Sequence, residues 1–421
     1  MKKPCMHIKG GTVLKGEVKA SGSKNATLPI LFSTILADGE YTISNVPHLT
    51  DVTTALEVLK SIGFSYERKK EALIIKSSYL KNSHPSKELV QKMRASFLCL
   101  GPLLVRYKDV KIPLPGGCKI GERPVDLHLK SLEALGASIV CEQGWVHAKA
   151  PKGLKGTEIT LDFPTVGGTE NLILASVLAK GKTVIKNRAC EPEVSDLINV
   201  LKKMGALIKE TGEKELTICG VDKLTPFSNY KVMPDRIEAA TFLLAGAITG
   251  GEIKVTHCCP EHLKSFLAKL EDCGFLCETQ FDSITLTGTK LRKSTHIETG
   301  VYPGFPTDLQ SQFLALMTQL EGESSLKENI FENRFRYVEE LNKLKASVQI
   351  KNQNKAFVKG PVSLKGGMVK STDLRASSGL ILAALVAQGD TYVTDIFHLD
   401  RGHEDFHIKL KSLGAQVERL D

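Results

Sequence analysis

Leu201-Lys-Lys-Met-Gly205 closes an amphipathic pattern that begins at Pro192 and sets Leu197, Val200, Leu201 and Met204 on one face. Five other helical patterns end on the same phrase: Leu59-Lys-Ser-Ile-Gly63, Leu132-Glu-Ala-Leu-Gly136, Leu270-Glu-Asp-Cys-Gly274, Leu341-Asn-Lys-Leu-Lys345 and Leu410-Lys-Ser-Leu-Gly414. Their last positions fall 69 to 73 residues apart. Each glycine stands where a helix C-cap needs a left-handed residue. Lys345 breaks the rule, so another cap, or strain, must serve there. A fixed period of this length means one supersecondary unit written six times.

Working outward from Gly205 gives the content of a unit. Residues 157–161 alternate as a strand, 168–179 read as an apolar helix, and 183–186 are rich in β-formers. Residues 192–204 form the amphipathic helix, and 206–209 and 216–219 are two short strands. The order is βαβαββ. Strands of the form Gly-x-x-x-Val/Ile follow the first helix at Gly39, Gly181, Gly251 and Gly389. A chain of 421 residues exceeds one ordinary core, so six units predict two domains of three.

The N-termini of the first helices carry charge. Lys24-Asn25 opens the first, after Ser21-Gly22-Ser23; Arg94 lies in the second; Gly167-Gly168-Thr169 opens the third. Pro234-Asp235-Arg236, Pro306-Thr307-Asp308 and Ser371-Thr372-Asp373-Leu374-Arg375 open the rest. Ser, Thr and Asp are ordinary N-caps, and as residues alone Asp308 reads as one. Lys and Arg are not, because they oppose the helix dipole at that end unless an anion compensates. Converging N-termini with such cations predict a phosphate and carboxylate site between the two domains.

The loop Pro113-Leu-Pro-Gly-Gly-Cys-Lys-Ile-Gly-Glu-Arg-Pro-Val-Asp-Leu-His128 holds one thiol, Cys118, among glycines and prolines that exclude helix or strand interior. Lys119 and Arg123 flank it, and nearby cations favour thiolate over thiol. This reads as an exposed cysteine in a pocket for an anion; the alternative is a small buried hydrophobe.

The net charge of +9 comes from arginines and lysines scattered at loop ends, without a basic run interleaved with aromatics. Small anionic substrates fit that pattern better than nucleic acid. The ten cysteines include no Cys-x-x-Cys pair and no histidine at zinc spacing, which predicts no metal and reduced thiols in a cytoplasmic protein. The first eleven residues lack the apolar segment of a signal peptide, and no apolar run is long enough to span a bilayer.

Five phrases, taken together, resemble one family across nearly the whole chain. They are Ser21-Gly-Ser-Lys24-Asn25-Ala, the loop from Leu114 to His128, Phe305-Pro-Thr-Asp308, Phe331-Glu-Asn-Arg334-Phe and Asp373-Leu-Arg375-Ala-Ser. The chain is similar to the enolpyruvyl transferases, and within them to the UDP-N-acetylglucosamine 1-carboxyvinyltransferases. The paralogous 5-enolpyruvylshikimate-3-phosphate synthases share the sixfold repeat but lack the Gly-Gly-Cys loop. The resemblance implies an α/β fold, a two-domain inside-out α/β barrel, with one domain at 24–231 and the other, discontinuous, at 1–23 and 232–421.

It also implies the activity: the enolpyruvyl group of phosphoenolpyruvate moves to the 3-hydroxyl of UDP-N-acetylglucosamine, with release of phosphate and no cofactor. In that reading Cys118 donates a proton to C3 of phosphoenolpyruvate and is the thiol alkylated by fosfomycin. Asp308 is the base toward the sugar hydroxyl. Lys24, Arg123 and Arg401 bind the phosphate and carboxylate; as residues alone each is a surface charge. Asn25, Arg94, Arg123, Pro124, Val125, Asp126 and Leu127 match positions that hold the sugar nucleotide. So do Phe163, Pro164, Thr165, Val166, Asp308 and Ile330, although Ile330 alone also reads as core. Arg334, Asp373 and Arg375 orient ligands or support closure of the domains, which the sugar nucleotide is expected to drive. Thr50 and Phe163 stand where some members carry Lys, so a direct charge contact to the nucleotide is not expected from either. Neither oligomeric state nor feedback by pathway products follows from the residues.

Overall fold

The computed structural model describes residues 4–70, 72–77, 83–116, 125–289 and 291–420. The chain divides into two compact units. Among the described residues, one unit holds those from Gly22 to Met233, and the other combines those up to Ser21 with those from Pro234 onward.

Within each unit the helices lie inside and the sheets outside. Arg236–Thr249, Gln310–Met317 and Leu374–Ala384 are apolar on every side, are buried almost throughout, and pack against one another. A helix without a polar face must be enclosed, which is why these three form the centre of their unit. Lys24–Ser33 and Val166–Ser176 are buried in the same way in the other unit, where Leu100–Tyr107 packs against Val166–Ser176. The second helix of a repeat is different, with one face buried and the other open to solvent. Pro192–Lys203 buries Leu197, Val200 and Leu201 while both lysines at its end stay exposed.

The third repeat shows the sheet order. Glu158–Thr160 runs parallel to Lys182–Lys186, which pairs antiparallel with Glu215–Cys219, which in turn takes Leu207–Gly212 at the edge. A parallel pair needs a crossover, and Val166–Ser176 supplies it. Four other sheets repeat this order, and a sixth has three described strands, Asp109–Pro113, Trp145–Lys149 and Ser138–Glu142.

Three sheets take a strand from outside the stretch of chain that forms the rest of the repeat. The four-stranded sheet of the last repeat is completed by Cys5–Lys9, which lies antiparallel between Asp390–Thr394 and Gln416–Leu420, with Met6 opposite Val393. In the fourth, Lys15–Lys19 runs parallel to Glu252–Thr256. In the first, the two-residue strand Tyr230–Lys231 runs parallel to Gly39–Ser44. The strand preceding each passage of the chain between units therefore stays in the unit being left. Strand partners are chosen by register and packing rather than by nearness in sequence.

All six helix-ending phrases adopt the left-handed cap. Gly63, Gly136, Gly205, Gly274 and Gly414 have φ between 92° and 119°, and Lys345 has φ 66°. At the glycines two bonds close the helix, as in Gly205 N–H to Lys202 and Ala206 N–H to Leu201. At Lys345 only the first is made, to Asn342, and the Asn342 side chain then brackets Val348 through its N–H at 2.8 Å and its carbonyl at 2.9 Å. An asparagine clamp thus replaces the second bond. Lys345→Gly is expected to stabilise the protein by about 1 kcal/mol, because a side chain in this conformation costs roughly that much. The readout is the urea unfolding midpoint; an unchanged midpoint means the clamp already removes the strain.

Candidate active site

In the unit from Gly22 to Met233, Ser23 caps the helix Lys24–Ser33, its hydroxyl accepting from the Ala26 N–H at 3.3 Å. Gly22 precedes it because a Cβ there would lie 1.7 Å from the Asn45 carbonyl oxygen. The Lys24 side chain is 11% exposed, and its Nζ lies 3.4 Å from Asp51 Oδ2. Asp51 sits in the first turn of Thr50–Ser61, where the dipole favours a carboxylate. The anion that compensates Lys24 within this unit is therefore a protein carboxylate. Asn25 follows, half-buried. Arg94, expected inside an α-helix, instead opens the 3-10 segment Arg94–Cys99 that leads into Leu100–Tyr107.

Val125 precedes the helix Asp126–Ala134, with Asp126 exposed, Leu127 half-buried and His128 buried. His128 Nδ1 lies 3.1 Å from Asn171 Nδ2, and its ring stands edge-on to Phe97 with centroids 5.4 Å apart. Asn171 Oδ1 accepts from the Gly101 N–H at 2.8 Å. A Cβ on Gly167 would come 3.3 Å from the His128 ring. The starts of Asp126–Ala134 and Val166–Ser176 are thereby neighbours. This brings residues 125–127 beside Phe163, Pro164, Thr165 and Val166, with Phe163 43% exposed. The helix begins at Val166 rather than Gly168, with Thr165 as its extended N-cap residue.

In the unit that contains Pro234 onward, Asp308 lies in the 3-10 turn Thr307–Leu309 that leads into Gln310–Met317. The expectation of a capping aspartate is corrected. The cap position is Pro306, and no side chain bonds there. Asp308 Oδ1 instead accepts from Arg334 Nη2 at 3.3 Å and from Arg375 Nε at 3.2 Å. The two guanidiniums are 4% and 5% exposed and the carboxylate 31%. Burial makes each arginine need the anion, and a bond from each side fixes its direction. Arg375 reaches Asp308 because the two helices approach closely. Its carbonyl accepts from the Ser311 hydroxyl at 2.6 Å, and Gly379 leaves no room for a Cβ, which would lie 2.7 Å from the Ser311 carbonyl oxygen.

Asp373 does cap its helix: Oδ1 accepts from the N–H groups of Arg375 and Ala376 at 2.9 and 3.1 Å. Arg401 closes the 3-10 segment Ile396–Arg401, half-buried. Gly402 after it packs on Leu374, where a Cβ would be 2.7 Å from Cδ2, so this end of the chain lies beside the start of Leu374–Ala384. Burial first, and Arg401 second, hold the His398 imidazole below its ordinary pKa, against the pull of Asp373. Ile330 is half-buried, and its N–H donates to Glu328.

Cys118, Arg123 and Pro124 lie outside the described residues. Burial pushes Cys258, Cys273 and Cys277 up to about 12, and raises Cys99 further, so these thiols are poor nucleophiles. The sequence reading did not single out Asp51 or Glu328. Both had only a weak local signal, an acidic residue in a helix's first turn and a polar residue after a strand.

The EPSP synthase (3-phosphoshikimate 1-carboxyvinyltransferase) family matches residues 8–410. The fold is similar to that of the enolpyruvyl transferase NikO from Streptomyces tendae, with TM-score 0.89, 23% identity and 99% of each chain covered. It is also similar to EPSP synthase from Acinetobacter baumannii, with TM-score 0.77, 19% identity, and 99% of this chain and 100% of that one covered. The chain is an enolpyruvyl-transferase-fold protein of the EPSP synthase family. Two relatives narrow this further. UDP-N-acetylglucosamine 1-carboxyvinyltransferase of Trichlorobacter lovleyi is 48% identical over 413 residues, and that of Geotalea uraniireducens is 49% identical over 413, each with 98% of both chains covered. The same enzyme of Finegoldia magna is 48% identical over 421 residues, with 99% of both chains covered. Within the larger family, the chain belongs to the UDP-N-acetylglucosamine 1-carboxyvinyltransferases.

Proposed function

We infer that this protein transfers the enolpyruvyl group of phosphoenolpyruvate to the 3-hydroxyl of UDP-N-acetylglucosamine and releases phosphate, the first committed step of peptidoglycan precursor synthesis. The near-complete match to relatives that carry that activity in their names carries the reading. The sugar oxygen adds to C2 of phosphoenolpyruvate while C3 gains a proton, giving a tetrahedral phosphate-bearing ketal. Loss of phosphate from C2 and of a proton from C3 restores the double bond in the product.

Cys118 supplies the proton to C3, since a thiol can carry a transferable proton near working pH. Asp308 takes the proton of the 3-hydroxyl, with Arg334 and Arg375 fixing its carboxylate. Lys24, Arg123 and Arg401 meet phosphate and carboxylate charge, and Asp51 holds Lys24 in place. Asn25, Arg94, Val125, Asp126, Leu127 and Ile330 contact the sugar nucleotide. The exposed Phe163 ring, beside Pro164, Thr165 and Val166, offers a stacking face to its base. Asp373 keeps Arg375 oriented as the cap of its helix. No described helix is long and apolar enough to cross a membrane, and the nine described cysteines are free thiols. A reducing cytoplasm keeps a working Cys118 in the same state.

The test is a phosphate-release assay. Release that requires both phosphoenolpyruvate and UDP-N-acetylglucosamine, and that fosfomycin abolishes, is expected. Release with shikimate 3-phosphate in place of the sugar nucleotide would assign the paralogous reaction instead.

A further inference from the structure

Glu328 is 3% exposed, and among the described residues its hydrogen-bond partners include no cation. Its Oε1 accepts from the Thr299 hydroxyl at 2.9 Å and from the N–H groups of Ile330 and Phe331 at 2.8 and 3.2 Å. Its Oε2 accepts from the Thr307 hydroxyl at 2.9 Å. An apolar residue here would leave these donors unsatisfied, and a buried anion is tolerated because hydrogen bonds replace its water.

The bonds join separate stretches of chain, and two of those stretches frame Asp308. Thr307 precedes Asp308, and its carbonyl accepts from Arg334 Nη2 at 3.2 Å, the same nitrogen that donates to Asp308 Oδ1 at 3.3 Å. Phe331, held at the other end, lies under the Arg334 guanidinium, 5.6 Å from carbon to ring centroid. One carboxylate thus sets the segment that carries the base and the ring that supports the base's arginine. We propose that Glu328 is a positioning residue for Asp308, acting through the Thr307 hydroxyl and the 330–331 backbone. This rests on the function proposed above.

Thr307→Val removes one of the bonds and leaves Glu328 its other donors, so the variant keeps the hub folded. Glu328→Gln keeps the hub, because the amide oxygen still accepts and the amide nitrogen can donate to the rotatable Thr307 hydroxyl. In the phosphate-release assay Thr307→Val is expected to lower kcat about 10- to 100-fold with little change in either KM, the size of effect that a misplaced base produces. Glu328→Gln is expected to stay close to wild type. In an Asp308→Asn background Thr307→Val should cost no more than about twofold, since no base remains to be placed. An equal fractional loss in both backgrounds, or none in either, overturns the positioning role while leaving the assigned reaction intact. No phosphate release by the wild type overturns both.

Discussion

Cys118→Ala is expected to lose phosphate release by a factor of about 10² to 10⁴ or more, the range for removing a positioned proton donor. Alanine carries no transferable proton. Cys118→Asp is expected to retain turnover, because a carboxylic acid held near anionic substrate can deliver a proton as a thiol does. The same thiol is the expected site of fosfomycin alkylation. Cys99, Cys258, Cys273 and Cys277 are raised by burial and should stay unlabelled, whereas Cys141 and Cys219 are exposed and serve as internal controls for non-specific labelling. Peptide mapping by mass spectrometry reads the result. Wild-type turnover by the alanine variant, or an adduct on an exposed control in place of Cys118, removes the assignment.

Asp308→Asn should lower kcat by about 10² to 10⁴ with a much smaller effect on KM for the sugar nucleotide. The amide keeps the volume of the carboxylate, and its oxygen can still accept from Arg334 and Arg375, but it cannot take the sugar proton. Stability should fall less than for a fully buried ion pair. Two buried guanidiniums lose their anion, yet the carboxylate is 31% exposed, so water screens the pair and the cost is about 1 to 2 kcal/mol. Saturation kinetics with both substrates, alongside thermal unfolding, separate the two effects. A kcat within tenfold of wild type would mean that Asp308 only anchors the arginines.

The repeat and its caps could be read directly, because a left-handed C-cap and a 3.6-residue apolar period are local. The same holds for Ser23, Asp235 and Asp373, whose side chains bond backbone N–H groups two or three residues on. Asp308 looked like a member of that set and is not. Its partners, Arg334 and Arg375, lie 26 and 67 residues away in the chain, and only helix packing at Gly379 brings Arg375 to it. The Lys24 and Asp51 pair is hidden for the same reason, each residue having an ordinary local explanation.

Periodicity and cap chemistry define a six-unit α/β chain with cationic helix starts, and the Gly-Gly-Cys loop marks Cys118 only as a candidate thiol. Which strand completes which sheet was decided only in three dimensions, with Cys5–Lys9 closing the last sheet and Tyr230–Lys231 joining the first. So was the conversion of an apparent cap into a carboxylate held by two guanidiniums. Local preferences depend on a few neighbouring residues and survive in any context. Strand partners and buried charge pairs depend on which surfaces meet, and packing alone sets that.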